Sequence, residues 1–171
     1  MDRRPNADEY AKYYETYISK IPGGDIIDIL EKQHHAIMEF LETIKEDKSN
    51  YSYAPGKWSV KEVLGHVNDA ERVFGYRALR FSRKDENPLA GFEQDDYVAK
   101  SNFKNIAIAD LAKEFSAIRQ SNILMFKGLT DDMWMKKGIA SNNNVTVRAI
   151  AYILAGHAEH HKKVLIEKYG L

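Results

Sequence analysis

Three of the six histidines in the chain fall within five positions of one another, at His157, His160 and His161. On a helix turning about 100° per residue from Ile150, Leu154 lies at about 40°, Val164 at about 320°, His157 at about 340° and His161 at about 20°. His157 and His161 therefore straddle an apolar face, while His160, at about 280°, sits on its flank as a boundary residue. Imidazoles four residues apart on a helix project side by side and can share one cation. The alternative is a pair of core histidines bonded to carbonyls or water. One histidine is well described that way. Two are not, because each orphaned ring acceptor would cost about 1 to 3 kcal/mol.

Such a half-site needs a third ligand. His34 and His35 are adjacent and cannot both face a core, which leaves His66 as the candidate. His66 lies on the line Val63, His66, Ala70, Val73 and Arg77, beside the main apolar stripe of its helix. Taken alone, a boundary histidine describes it as well as a ligand does. At about 1.5 Å per residue, His66 stands about 10 Å from the start of its helix. His157 and His161 stand about 18 and about 12 Å from the C-terminal end of theirs, near Tyr169. A shared level therefore requires the two helices to be antiparallel. Three nitrogens would leave a divalent ion with open positions, the mark of a reactive site, and imidazole suits zinc, nickel or iron. His160 could stand in for His157 or His161. Asp69, one turn after His66, could orient a ligand or act as a base, although a solvent-facing charge is the plainer reading. Arg77 is expected in an ion pair, with anion binding the lesser alternative, and Glu159 is expected in solvent.

The elements that must carry these residues read as helices throughout. Only four prolines, at Pro5, Pro22, Pro55 and Pro88, interrupt long stretches of three- and four-residue apolar spacing. Helix one is expected from Asp25, as N-cap, to Lys45, with Ile26, Leu30, Ile37, Leu41 and Ile44 on one face. Helix two starts with the Ser59 and Glu62 capping-box pair and runs to Ser82. Helix three, starting near Asp110, carries Ile108, Leu111, Phe115, Ile118 and Met125 and fades at Gly128. Helix four follows the polar Ser141-Asn142-Asn143-Asn144 and ends before Gly170. Tyr10, Tyr13, Tyr14 and Tyr17 mark an N-terminal arm, residues 1–22, packed on the bundle. The connection from Arg83 to Ala107 is long enough to cross from one end of a bundle to the other. With antiparallel helices two and four, it selects an all-α, four-helix, up-down-down-up bundle forming one domain over 1–171.

Composition narrows the function. With 171 residues, 25 basic against 25 acidic side chains and no net charge, the chain is not built to bind nucleic acid through phosphates. Its longest apolar run, Ala149 to Gly156, is too short for a membrane span, and the polar Met1-Asp2-Arg3-Arg4-Pro5 start is unlike a signal peptide, so a soluble cytoplasmic protein is expected. The absence of cysteine removes disulfides, thiolate metal sites and cysteine nucleophiles.

The stretch from Gly56 through Trp58, Ser59, Glu62, Gly65 and His66 to Arg72 resembles the helix-two signature of the DinB superfamily. Thr146 to Ile150 with Gly156 to His161 resembles its helix-four signature, and Pro88-Leu89-Ala90-Gly91-Phe92 its crossover. The resemblance runs from about Gly24 to the C-terminus. It implies an up-down-down-up four-helix bundle, a divalent metal held by His66, His157 and His161, and a homodimer. The chain is also similar to the branch containing S-transferases that use bacillithiol or mycothiol, and metal-dependent hydrolases. The expectation is a metal-dependent enzyme acting on a small molecule, zinc or nickel first and iron next. It would transfer an external low-molecular-weight thiol to an electrophile, with hydrolysis as the alternative. From another class, the rival is a non-enzymatic metal-binding or dimerisation protein with structural histidines.

Overall fold

The computed structural model describes residues 4–171; Met1, Asp2 and Arg3, where the expected arm begins, lie outside the described residues. The chain is mainly helical. After two short 3-10 turns the arm forms α1 (Glu15–Ile18), and four longer helices follow: α2 (Ile26–Glu42), α3 (Val60–Ser82), α5 (Ile108–Lys127) and α7 (Val147–Tyr169). Between them lie the short helices α4 (Gln94–Ala99) and α6 (Asp131–Trp134) and the strands β1 (Lys137–Ala140) and β2 (Asn143–Thr146).

The local signals act where the sequence places them. Asp25 accepts a hydrogen bond from the Ile27 amide and starts α2, and Ser59 and Glu62 close a reciprocal capping box at α3. Thr146 accepts from the Ala149 amide to open α7, which ends at Gly170 in the left-handed region with φ 70°. Helix one stops at Glu42, short of Lys45. The expectation of helices throughout is corrected between Lys137 and Thr146, which form an antiparallel hairpin with Ala140 opposite Asn143. Its turn holds Ser141 and Asn142 at positive φ, and Leu89 of the crossover donates to the Ile139 carbonyl at 2.8 Å. Two four-residue strands could not stand alone. These rest on α3, where Phe81 leaves no room for a side chain at Gly138.

Polar pairs tie the long helices together. From α3, Asn68 Nδ2 donates to the Leu111 carbonyl at 3.0 Å, and Glu71 holds Arg119 of α5 at 2.5 Å with both side chains almost wholly buried. Asn122 donates to the Glu71 carbonyl at 3.2 Å. From α2, Glu31 meets Lys127 at 2.5 Å and His34 meets Ser116 at 2.9 Å. Gly24, just before α2, accepts through its carbonyl from Tyr152 of α7 at 3.3 Å, and within α2 the Ala36 carbonyl accepts from Lys162 of α7 at 3.3 Å. At the last residue of α7, Tyr169 donates to the carbonyl of Trp58, just before α3, at 2.6 Å. Leu30, Phe81, Phe115, Phe126, Ile150, Ile153 and Leu154 fill the core between these pairs.

α1 lies on α7, with Tyr17 and Ile18 buried. It comes so close that a Cβ at Gly156 would stand 2.2 Å from the Tyr17 carbonyl oxygen. Because the obstacle is backbone, Gly156→Ala is expected to shift the arm and destabilise the protein by about 1 to 3 kcal/mol. The checks are a lower melting temperature and faster proteolysis in the arm; unchanged values of both would refute this close approach.

Candidate metal centre

The central part of α7, from Ala149 to Ala158, is buried all round, and α3 supplies one of the walls against it. His66 enters from α3 and His157 and His161 from α7, and one ring nitrogen from each falls within 4.8 Å of the other two. His66 Nε2 and His157 Nε2 are 3.1 Å apart. The ring of His161 is centred 4.9 Å from that of His66 and 4.5 Å from that of His157. Trp58 lies beside His66, with ring centres 4.9 Å apart, and Tyr17 of the arm meets His157 at 5.3 Å.

Burial governs the protonation of the triad. His66 is pushed down to about 4 by desolvation, opposed by the negative charge of Asp95. His157 and His161 are held well below their usual range, first by burial and then by neighbouring histidines, His161 and His66 acting on His157 and His66 and His160 on His161. All three imidazoles are therefore neutral at pH 7 and offer lone pairs. Two facing Nε2 atoms can share one proton, but His161 Nδ1 is buried with no hydrogen-bond partner. Three converging neutral nitrogens with one orphaned ring atom are a donor set that fits a divalent cation.

The other histidines stay outside this set. His160 is half-buried against the Tyr17 ring at 5.5 Å, His34 is occupied by Ser116, and His35 is exposed. Asp69 is not in solvent: it is half-buried, and desolvation raises its carboxyl. Glu159 is likewise half-buried and accepts from Gln33 at 3.3 Å. The ion pair expected at Arg77 is absent among the described residues. Its Nη2 donates instead to the Ala90 carbonyl at 2.9 Å and the Ser141 hydroxyl at 3.0 Å.

Open cavities reach the triad from two directions. One, of about 270 Å³, touches His66 and His157 and is walled by Tyr14, Phe74 and Arg77. The other, of about 680 Å³, touches His161 and is walled by Lys57, Trp58, Val164 and Tyr169. Gln94 and Asp95 of the crossover border both. Spacing along the chain gives Gln94 and Asp95 no place at the site, because their position depends on how the crossover docks. That docking is fixed at Gly65, next to His66, where a Cβ would run into the Phe103 ring at 2.4 Å.

A family model described as the DinB superfamily matches residues 29–165. No curated protein matches the chain in sequence. The solved structure of YfiT from Bacillus subtilis, described as a probable metal-dependent hydrolase with an unusual four-helix bundle topology, superposes with a TM-score of 0.76 at 14% identity, over 99% of this chain and 94% of that one. A mycothiol-dependent maleylpyruvate isomerase superposes with a TM-score of 0.70 at 10% identity, over 85% of this chain and 61% of that one. Among the described residues, no helix is long and apolar enough to cross a membrane.

The buried neutral rings make stability depend on pH. In the unfolded chain a histidine takes up its proton near 6.5, whereas His66 in the folded chain does so at about 4. Between these values the unfolded state holds more protons, so stability falls as pH drops and is unaffected by this group above 6.5. Urea unfolding of the metal-free protein between pH 7.5 and pH 4.5 is expected to show a loss on the order of 3 kcal/mol from His66, with His157 and His161 adding in the same direction. His66→Gln should flatten the curve, and a pH-independent midpoint in the wild type would show that the rings are not buried neutral.

Proposed function

The chain belongs to the DinB superfamily, and from that premise we propose that it is a cytoplasmic, divalent-metal-dependent enzyme that transfers an external low-molecular-weight thiol onto a small electrophile. The observation that carries the metal reading is the convergence of His66, His157 and His161 within 4.8 Å. His66 of α3 and the pair on α7 would hold zinc or nickel first, and iron next, through neutral nitrogens. When bound, the ion supplies Lewis acidity that favours the deprotonated form of a thiol or water beside it.

The chain's own residues do the rest. Burial keeps the three rings unprotonated, so they can bind a cation at neutral pH without releasing protons. Trp58 and Tyr17 flank the triad and exclude solvent from two sides. The two cavities, one at His161 and one at His66 and His157, give separate places to a thiol and an electrophile. This favours a two-substrate transfer. With no cysteine in the chain, the thiol must come from outside.

The bundle is up-down-down-up in this reading. Support comes from contacts that advance together along α3 and α5, Asn68 with Leu111 and then Glu71 with Arg119. Along α3 and α7 they advance in opposite senses, Trp58 with Tyr169 and then His66 with His157. A homodimer is included in the proposal, and exposed Tyr13 and Tyr97 suit an interface. Hydrolysis at the same site is the second reading, favoured by the description of the Bacillus subtilis YfiT structure as a probable metal-dependent hydrolase.

Elemental analysis of untagged protein should find about one equivalent of divalent metal per chain, lost in His66→Ala, His157→Ala and His161→Ala. Full metal retention in all three variants would refute the triad. Metal-loaded protein, assayed on monochlorobimane with and without bacillithiol, mycothiol or glutathione, is expected to form product only with a thiol. Thiol-independent product would replace transfer by hydrolysis.

A further inference from the structure

Arg77 is 3% exposed, yet among the described residues no carboxylate lies within ion-pair distance of it. Its Nη2 is engaged by the Ala90 carbonyl and the Ser141 hydroxyl. Its guanidinium carbon stands 5.5 Å from the centre of the Phe74 ring. Tyr14 lines the same cavity, near enough that the positive charge of Arg77 opposes the upward push of burial on its hydroxyl. All these partners are neutral. A guanidinium taken out of water is costly unless an anion faces it, and its planar fork matches a carboxylate.

The same side chain walls the cavity of about 270 Å³ that ends on His66 and His157. Phe74, Tyr14 and Phe92 make that cavity largely aromatic. We propose that Arg77, with the Tyr14 hydroxyl, binds the carboxylate of a flat, unsaturated or aromatic acid, and that this acid is the electrophilic substrate class of the site. The substrate assignment rests on the function proposed above; the binding of the carboxylate does not. Glu93 and Asp95 border the same cavity, but both are exposed, where water and salt screen them, whereas Arg77 acts from the buried wall. They define the competing outcome, a site for cations.

The test is calorimetric titration of benzoate, benzyl alcohol and benzylamine into the metal-loaded full-length protein and into the same protein after chelation. Benzoate is expected to bind more tightly than the other two in both forms. Arg77→Met should weaken it at least tenfold and Tyr14→Phe severalfold, with benzyl alcohol unaffected, a selectivity that a purely structural arginine would not produce. Should Arg77→Met fail to fold, as judged by circular dichroism, Arg77→Lys and Tyr14→Phe carry the comparison. No benzoate binding to the wild type, equal affinity in every folded variant, or preference for benzylamine would overturn the proposal. Absence of metal with Arg77-dependent benzoate binding intact would instead refute the metal reading and leave the carboxylate site standing.

Discussion

The close packing of α3 on α7 is the constraint on which the rest of the structure depends. It brings His66 Nε2 to 3.1 Å from His157 Nε2 and leaves the His161 ring beside both. His66 and His157 are buried and His161 is half-buried, which holds the rings neutral, and neutral rings offer lone pairs. Burial thus has two effects here. It destabilises the protonated protein, and it prepares a donor set that an exposed cluster of histidines would offer only at higher pH.

A second level of order comes from buried charge. Arg119 and Glu71 pair inside the bundle, and Gln33 from α2 and Asn122 from α5 fill their remaining hydrogen-bonding positions. A pair of this kind adds little net stability but is costly to break, so it acts as a register pin among α2, α3 and α5. Gln33 reaches on to the Ala155 carbonyl in α7, two residues before His157. The height at which α3 presents His66 is therefore tied, through Glu71 five residues further along, to every other long helix.

Much of this was legible in the sequence, because its strongest signals are local. The Asp25 cap, the Ser59 and Glu62 box and the four-residue step from His157 to His161 depend only on neighbours along one helix, and each is found where the pattern puts it. What was not legible depends on contacts across the fold. The hairpin exists because Phe81 and Leu89 cover it. Glu159, expected in solvent, is partly covered because it follows directly on the stretch of α7 that is buried all round and Gln33 of α2 reaches it, and a helical wheel that divides a helix into wet and dry faces fails for such a stretch. Arg119 has no signal of its own in the spacing, and Arg77 was expected in an ion pair; both guanidinium groups are inside, and among the described residues Arg119 has a carboxylate partner where Arg77 has none.

The charge balance of the site then has a direction. Three neutral nitrogens would leave the full double charge of a divalent ion uncompensated, unlike ligand sets that include a carboxylate. The carboxylate that perturbs His66 belongs to Asp95, which is exposed at the edge of the crossover. Arg77 adds a further positive charge from the buried wall of the adjoining cavity. With the proposed ion bound, such a site would attract anions from both sides, a thiolate toward the histidines and a carboxylate toward the guanidinium, although the chain as a whole carries no net charge. The neutrality of the sequence therefore conceals a separation: acidic groups at the rim in water, positive charge within, where the dielectric is low and electrostatic interactions are strongest.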